Sequence, residues 1–277
     1  MSARPTRKLV KPLATPAEMN AVTDWRIDCP NSLDTYGATY PDGTISQGGY
    51  SSHIRAHEYF VFPVPDNIPS ELAAPMLCAG ITCYSPLVRL GAGPGKKVGI
   101  VGIGGLGHFG ILFANALGAE VYALSHSPRK KEDALKLGAK HFIDTSQKDW
   151  HKPLAFKLDF IINTADATHK FNLKEYFSTL KVMGKFHNVG MPDHPIEKLM
   201  LQDLCGNCCY LGTSHLGNRA EMLAMLDLAS KQNIKSWVET VDISEEGCKE
   251  VVERVYKGDV RYRFTLVNYD KQFGKRA

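Results

Sequence analysis

A glycine-rich run that follows a short apolar segment is the strongest chemical signal in the sequence. In KKVGIVGIGGLGHFG, Gly102, Gly104 and Gly107 satisfy G-x-G-x-x-G between a strand-like run and an amphipathic segment. Such glycines permit a tight turn, close approach of the backbone to a pyrophosphate and close helix–strand packing, while the helix N-terminus offers free N–H groups. We predict a dinucleotide site here, and a merely structural glycine turn is the alternative.

The residues after the next predicted strand favour NADP over NAD. An NAD enzyme usually places Asp or Glu here to accept hydrogen bonds from the ribose 2′-hydroxyl. This chain instead carries Ser125, Ser127, Arg129 and Lys130. Hydroxyls and cations bind a 2′-phosphate through charge-assisted hydrogen bonds, whereas an acid would repel it. The alternative is a solvated helix start, which leaves the missing acid unexplained.

A thiol among small apolar residues, Cys78 in APMLCAGIT, is a candidate metal ligand. A catalytic zinc takes three protein ligands and keeps a fourth position open for water or a substrate oxygen. A cysteine in such surroundings is by itself more often a small core residue, so both interpretations stay open.

Three further thiols, Cys205, Cys208 and Cys209, lie close together in LCGNCCYLG. They include one C-x-x-C without the second pair that a zinc site needs, inside a strand-like run. We favour a role without metal or redox chemistry and keep such a site as the alternative.

The histidines that could ligate a metal have simpler interpretations. His53 and His57 stand four apart in HIRAHEYF, which resembles a strand, and we expect them to be solvated or packed. His108 follows the glycine run and is predicted to pack or cap near the pyrophosphate rather than bind metal.

Composition restricts the class of partner. The 277 residues carry 33 basic and 29 acidic side chains, interleaved, so nothing resembles a nucleic-acid footprint. No apolar run reaches the roughly 18 residues of a membrane span. The seven cysteines form an odd set and no signal peptide opens the chain, which favours a reducing, cytoplasmic location. Residues 1–28 are interpreted as an atypical leader rather than a targeting signal, because three prolines interrupt any amphipathic helix.

The order of apolar runs predicts an α/β fold with a doubly wound parallel sheet. Strands are predicted at 97–102, 120–125, 140–143, 158–163, 184–189 and 207–212, and helices at 105–117, 128–137 and 169–180. The flanks are expected to form one smaller domain split around the sheet, with strand-like runs such as YSSHIRAHEYFVFPVP and a strand, helix and strand in 236–267. The predicted organisation is 1–28 leader, 29–85 remainder of a catalytic domain, 86–235 dinucleotide-binding domain and 236–277 return to the catalytic domain.

Several runs together identify a family resemblance. CPNSLDTYGATYPDGTISQGGYSSHIRAHEYFVFPVPDNIP, AAPMLCAGITCYSPLVR, GIVGIGGLGHFG, SPRKKEDALKLGA and KGDVRYRFTLVNYD follow one another in order. They resemble the cinnamyl alcohol dehydrogenase branch of the zinc-containing medium-chain dehydrogenases, most closely the fungal NADP-dependent alcohol dehydrogenases. The resemblance covers nearly everything from Cys29 to the C-terminus.

The resemblance implies a fold, a reaction and site residues. It implies a Rossmann domain with a mostly β, GroES-like catalytic domain, truncated in this chain, split around it. It implies a homodimer that interconverts aldehydes, aromatic and aliphatic, and primary alcohols with NADP and zinc. Cys78 would ligate the catalytic zinc and Cys29 matches a structural-zinc ligand. The cofactor residues it implies are Thr82, Gly102, Gly104, Gly105, Leu106, Gly107, Ser125, Ser127, Arg129, Lys130, Thr164, Gly190, Thr213, Ser214 and His215.

The sequence also departs from the family. The segment with the other zinc ligands, the G-H-E motif and the proton relay is not visible, and no catalytic residue is assigned. We therefore expect neither zinc site to close within this chain. Two alternatives stay open: a protein that holds NADPH without turnover, and a zinc-independent enzyme of the quinone-reductase type. Exposed apolar surface and poor solubility are expected as well.

Overall fold

The structure is a computed structural model that describes residues 27, 33–49, 52–54, 56–165, 171–192, 195 and 199–274. Cys29 and all of the leader except Ile27 lie outside these ranges. The strands are β1 Tyr36–Thr39, β2 Ile45–Gln47, β3 Lys97–Val101, β4 Glu120–Ser125, β5 His141–Asp144, β6 Leu158–Asn163, β7 Leu180–Asn188, β8 Tyr210–Thr213, β9 Val238–Asp242 and β10 Arg263–Val267. The α-helices are α1 Ser70–Ala73, α2 Ala79–Arg89, α3 Gly107–Ala116, α4 Lys131–Lys136, α5 Leu173–Thr179, α6 Arg219–Lys231, α7 Glu245–Tyr256 and α8 Tyr269–Phe273.

Six parallel strands form the central sheet in the order β5-β4-β3-β6-β7-β8. The order reverses between β3 and β6, so the sheet is doubly wound and the predicted fold class is confirmed. The register aligns Leu124, Val101, Asn163, Asn188 and Thr213 across five neighbouring strands. These residues mark the carboxyl edge of the sheet, where ligands bind in folds of this kind.

Two strand predictions need correction in their boundaries. The run predicted at 207–212 becomes a strand only at Tyr210, because the preceding residues form a turn around Asn207. The Asn207 amide is buried and donates to the carbonyls of Phe177 and Leu180, at 2.7 and 2.9 Å. The run predicted at 184–189 begins earlier, at Leu180, and contains an irregularity in its pairing with β6.

The helices pack on the sheet through buried apolar side chains. In β3, Val98, Ile100 and Val101 are almost fully buried, as expected for a central parallel strand. Helices α2 and α3 pack together, with Tyr84 and Phe113 in an edge-on contact at 5.5 Å. Helix α6 begins at a capping box between Asn218 and Glu221. Of the helix predicted at 169–180, the described part is helical from Leu173.

The flanking segments form two small sheets. Strands β1 and β2 pair antiparallel, and β9 and β10 pair parallel across α7. The strand, helix and strand expected in 236–267 are therefore confirmed. Thr265 and Ser236 donate to the carbonyls of Glu71 and Leu72, so this C-terminal pair sits on α1.

The strand-like interpretation of YSSHIRAHEYFVFPVP is wrong for its described residues. Residues 58–60 form a 3-10 turn, and the neighbouring described residues have no regular structure. The His57 ring accepts a hydrogen bond from the Tyr59 N–H at 3.1 Å, which caps the turn. Pro63 and Pro65 lack N–H groups for a ladder.

Large apolar side chains lie on the surface of this N-terminal part. The exposed ones among its described residues are Leu33, Tyr36, Ile45, Ile54, Phe60 and Val61. The expected poor solubility of the chain stays a prediction. Within the described ranges no single helix is long and apolar enough to cross a membrane, and only the bent pair Ser70–Leu77 and Ala79–Arg89 passes by length and composition.

Candidate cofactor-binding site

The glycine loop joins the end of β3 directly to the start of α3. Gly102 takes φ +82°, a conformation that favours glycine, and its N–H donates to the Leu124 carbonyl at 2.9 Å. A β-carbon on Gly107 would lie 1.8 Å from the Gly102 carbonyl oxygen, whereas one on Gly104 would meet nothing within 4 Å. The loop therefore leaves no room for a side chain at Gly107, whereas there is free space next to Gly104.

Thr164, which follows β6, fixes the loop from the neighbouring strand. Its hydroxyl lies 2.8 Å from the Val101 carbonyl oxygen and 3.1 Å from that of Gly102. A β-carbon on Gly190 would lie 2.7 Å from the Ala165 carbonyl oxygen. The segments that follow β6 and β7 therefore approach each other closely at the carboxyl edge of the sheet. Thr164 therefore holds the glycine loop in place. This role is additional to the nicotinamide contact that the resemblance implies.

The loop has further partners in α2 and β10. The Leu106 carbonyl oxygen lies 3.2 Å from the Cys83 thiol, which donates to it. The Gly105 carbonyl accepts from Arg263 Nε at 3.0 Å, and a β-carbon on Gly105 would meet that side chain. Gly105 and Leu106 therefore use their carbonyls to hold the fold around the loop.

The four polar residues predicted to bind a 2′-phosphate lie together at the end of β4. The Ser125 hydroxyl accepts from the Ser127 N–H at 3.2 Å, and Arg129 Nε lies 3.4 Å from the Ser127 hydroxyl oxygen. Lys130 Nζ donates to the carbonyl of Ile103 in the glycine loop at 2.6 Å. The structure thus places this corner against the loop, as a dinucleotide that binds both would require.

The electrostatics of this corner are cationic. Burial is the main cause that lowers the pKa of Lys130, and the nearby Arg129 and Arg261 lower it further, while Asp133 raises it. Asp133 is buried, and its charge is balanced by an ion pair with Arg261. It also accepts a hydrogen bond from the Tyr262 hydroxyl at 2.7 Å. The corner therefore favours an anionic ligand.

Sequence reasoning missed the contribution of Arg261, Tyr262 and Arg263. Arg263 begins β10 and the other two directly precede it, more than 120 residues after the groups that they contact in α4 and the glycine loop. Two arginines that flank a tyrosine in VRYRF were a signal of a cationic edge. Local pattern could not show which loop they reach, because that depends on how β10 docks.

His108 packs inside this site, as predicted. It is fully buried, with its ring 4.1 Å from Phe109 and 5.4 Å from Tyr262 between centroids. Neither ring nitrogen makes a well-aligned hydrogen bond among the described residues, although the backbones of Gly104 and Gly105 act to raise the pKa of the ring. Burial lowers the pKa of His108 to about 4, and Arg263 acts in the same direction. The imidazole is therefore neutral at neutral pH.

The ends of β6, β7 and β8 form the second half of the site. Asn163 donates to the Asn188 side chain at 2.7 Å, and Asn188 donates to the Gly190 carbonyl at 2.7 Å. The Thr213 hydroxyl donates to the Asn188 carbonyl at 2.8 Å. A cavity of about 310 Å³ opens here, lined by Asn163, Asn188, Thr213, Phe171, Leu173 and Phe186 among others. Its size and mixed lining suit a small organic ring system.

Ser214 and His215, predicted for the same half, have different surroundings. Ser214 Oγ lies 2.8 Å from Nε2 of His187, a residue on β7 that sequence reasoning missed. Burial lowers the pKa of His187 to about 4, with Arg89 as a smaller cause. His215 is exposed.

Cys78 occupies the N-cap position of α2 without a side-chain capping bond, and it is exposed, so the core interpretation of this thiol is wrong. The buried Thr82 donates its hydroxyl to the Cys78 carbonyl at 2.8 Å. No group of three or more metal-ligating side chains occurs in the described part of the chain. The described residues therefore do not fit a catalytic zinc, which needs three protein ligands. Cys29, the predicted structural-zinc ligand, lies outside those residues.

The remaining thiols and histidines do not form a metal centre within the described ranges. Cys205 and Cys208 are exposed in the turn before β8, whereas Cys209 is buried. The ring of His53 contacts the Ser52 hydroxyl at 3.0 Å. His57 caps the 3-10 turn described above.

Comparison with known proteins adds a family model described as zinc-binding dehydrogenase, which matches residues 105–231. The chain is 47% identical to NADP-dependent alcohol dehydrogenase 6 of Saccharomyces cerevisiae over 246 residues, covering 88% of this chain and 68% of the relative. It is 41% identical to cinnamyl alcohol dehydrogenase 8 of Arabidopsis thaliana, covering 86% of this chain and 66% of the relative. The chain thus spans about two thirds of the length of these curated relatives.

Solved structures of cinnamyl alcohol dehydrogenases have a similar fold. A cinnamyl alcohol dehydrogenase from Sorghum bicolor superimposes with a TM-score of 0.82 at 34% identity, over 90% of this chain and 70% of the other. CAD from Helicobacter pylori, solved in complex with NADP(H), gives a TM-score of 0.72 at 33% identity, over 83% of this chain and 64% of the other.

Proposed function

The chain belongs to the zinc-binding dehydrogenase family, among relatives that are NADP-dependent and cinnamyl alcohol dehydrogenases, and on this basis we propose that it is an NADP-dependent oxidoreductase. Its proposed reaction interconverts aldehydes, aromatic and aliphatic, with primary alcohols. The substrate partners are thus small carbonyl compounds and alcohols.

The observation that carries this proposal is the cationic corner beside the glycine loop. Ser125, Ser127, Arg129 and Lys130 stand where an NAD enzyme would place a carboxylate, and Lys130 reaches the loop itself. A 2′-phosphate on the adenosine ribose would meet hydroxyls and cations there, whereas a 2′-hydroxyl would find no acidic acceptor.

The mechanism follows from the shape of the carboxyl edge. Bound NADPH would supply a hydride to the carbonyl carbon of an aldehyde, and a proton from the solvent would complete the alcohol and leave NADP⁺. The residues of the chain bind and orient: Gly104 leaves room for the pyrophosphate, and the cationic corner holds the adenosine end. The cavity beside Asn163 and Thr213 then receives the nicotinamide end and orients it.

Zinc binding is a prediction from the resemblance. Of the three protein ligands that a catalytic zinc needs, the described residues supply only Cys78. The measurement that tests it is the zinc content of the purified chain, compared with that of a Cys78→Ser variant. A stoichiometric zinc that falls in the variant would support Cys78 as a ligand.

The experiment that tests the function is NADPH oxidation by the 277-residue chain with an aromatic aldehyde. NADH serves as the comparison cofactor and Lys130→Ala as the matched variant. Turnover that prefers NADPH, and loses that preference in Lys130→Ala, supports the proposal. NADPH binding without turnover would contradict it and favour a cofactor-holding protein. Turnover by metal-free protein would favour zinc-independent hydride transfer.

We also propose a homodimer and a cytoplasmic location. Strand β8 is the last strand of the sheet, it pairs only with β7 among the described residues, and Tyr210 and Leu211 are exposed on it. An edge strand offers N–H and C=O groups to a second copy. Light scattering on the purified chain distinguishes a dimer from a monomer, and cell fractionation tests the location.

A further inference from the structure

The Lys130 ammonium is held by two neutral partners. It lies 2.6 Å from the Ile103 carbonyl oxygen and 4.9 Å from the centroid of the Tyr262 ring. An aromatic face and a carbonyl attract a cation without cancelling its charge. The positive charge of Lys130 therefore stays available for an anionic ligand.

The nearby carboxylate is engaged elsewhere. Asp133 Oδ2 accepts from the Tyr262 hydroxyl at 2.7 Å, and Oδ1 accepts from Arg261. Asp133 thus makes its direct hydrogen bonds to Tyr262 and Arg261, and its charge acts on Lys130 from a longer range, where it raises the Lys130 pKa. Had Asp133 paired with Lys130, it would have competed with a phosphate for the ammonium.

Tyr262 is fixed from several sides. It is 2% exposed, and its ring contacts His108 at 5.4 Å and Trp237 at 5.8 Å. Its N–H donates to the Trp237 carbonyl at 3.2 Å. A rigid aromatic surface reduces the rotamer freedom of the lysine before a ligand arrives, and such preorganisation strengthens binding.

We propose that Tyr262 is a positioning residue, which holds the ammonium of Lys130 at the adenosine 2′-phosphate and so sets the preference for NADPH over NADH. This inference rests on the proposed NADP dependence. It gives the C-terminal segment a role in cofactor selection, although this segment is far from the glycine loop in the sequence.

The test measures the dissociation constants of NADPH and NADH for the full 277-residue chain by titration, without turnover. Tyr262→Leu removes the ring, and we expect the NADPH constant to rise about tenfold while the NADH constant stays unchanged. Tyr262→Phe keeps the ring and is expected to retain the preference within about threefold of the parent chain. Tyr262→Met has a similar volume but an unbranched, adaptable side chain, and it replaces the leucine variant if that variant does not fold.

Two controls separate positioning from general stability. Tyr84 is also a buried tyrosine of the same core, and Tyr84→Leu should lower the melting temperature without changing the ratio of the two constants. In a Lys130→Ala background, Tyr262→Leu should change the ratio no further, because the tyrosine acts through the lysine.

The outcomes are distinguishable. A parent chain that prefers NADPH, with a ratio unchanged in the folded Tyr262 variants, would overturn the inference and leave the proposed function intact. An equal change of the ratio by Tyr262→Leu in the Lys130→Ala background would overturn the inference in the same way. A parent chain without any preference for NADPH would overturn both.

Discussion

A β-carbon on Gly107 would lie 1.8 Å from the carbonyl oxygen of Gly102. The first residue of helix α3 therefore lies in direct contact with the residue that follows β3. This contact brings the free N–H groups of the helix start to the carboxyl edge of the sheet, where a pyrophosphate can reach them.

Substitutions at Gly107 and Gly104 should separate folding from binding. Gly107→Ala would push the start of α3 away from the Gly102 carbonyl and should lower the free energy of unfolding by about 3 kcal/mol. Gly104→Ala meets nothing within 4 Å, so its unfolding free energy should be unchanged. Its methyl group would instead stand between backbone and pyrophosphate, and we expect NADPH affinity to fall about tenfold. Urea unfolding and cofactor titration measure the two effects, and a Gly104→Ala variant with parental affinity would contradict this view of the loop.

An acid at the end of β4 should weaken NADPH binding. Ser125→Asp places a carboxylate beside the proposed 2′-phosphate, and we expect the NADPH dissociation constant to rise at least about tenfold through like-charge repulsion. NADH should bind as well as before or better, because the carboxylate can accept from its ribose hydroxyls. Ser125→Ala, which removes the hydroxyl without adding charge, is the matched control and should have a smaller effect. Equal losses for both cofactors would argue for structural damage instead.

His108 should make the fold sensitive to acid. The folded state lowers its pKa to about 4, whereas the unfolded chain has the ordinary value, so the unfolded state binds the proton first as pH falls. The stability that neutral His108 provides is fully present above about pH 6.5 and is lost progressively towards pH 4, by about 3 kcal/mol in total. His108→Phe should therefore show a smaller loss between pH 7.5 and pH 4.5 in urea unfolding. An identical loss in both proteins would contradict this assignment. His187 remains in both and contributes with the same sign.

The buried Asn207 should matter for stability and not for the cofactor. Asn207→Ala leaves the carbonyls of Phe177 and Leu180 without their donor and should cost about 2 kcal/mol. Asn172→Ala, which removes an exposed amide that contacts Glu175, is the control and should cost less than about 0.5 kcal/mol. NADPH affinity should be unchanged in both, because Asn207 precedes β8 at the opposite edge of the sheet. A loss of affinity in Asn207→Ala alone would indicate coupling along β8.

Much of the central sheet could be predicted because its signals are local. Apolar runs of five or six residues, a glycine loop and helical spacing occur within short windows around Gly102 and Ser125, and parallel strands buried on both faces read as continuous apolar segments. The strand-like interpretation of the described residues between 52 and 65 is wrong for the opposite reason. Their alternation resembled a strand, but the prolines and the His57 cap favour an irregular path.

By itself the sequence determined the doubly wound sheet, the loop at Gly102 and Gly107, and a corner without an acid at Ser125. Only the tertiary structure decided which distant groups complete that site. Tyr262 reaches Lys130, Arg263 reaches Gly105, and His187 reaches Ser214. Backbone conformation is set mainly by neighbours in the chain, whereas burial and the pairing of charges depend on how separate elements dock. That is why the loops could be predicted and their long-range partners could not.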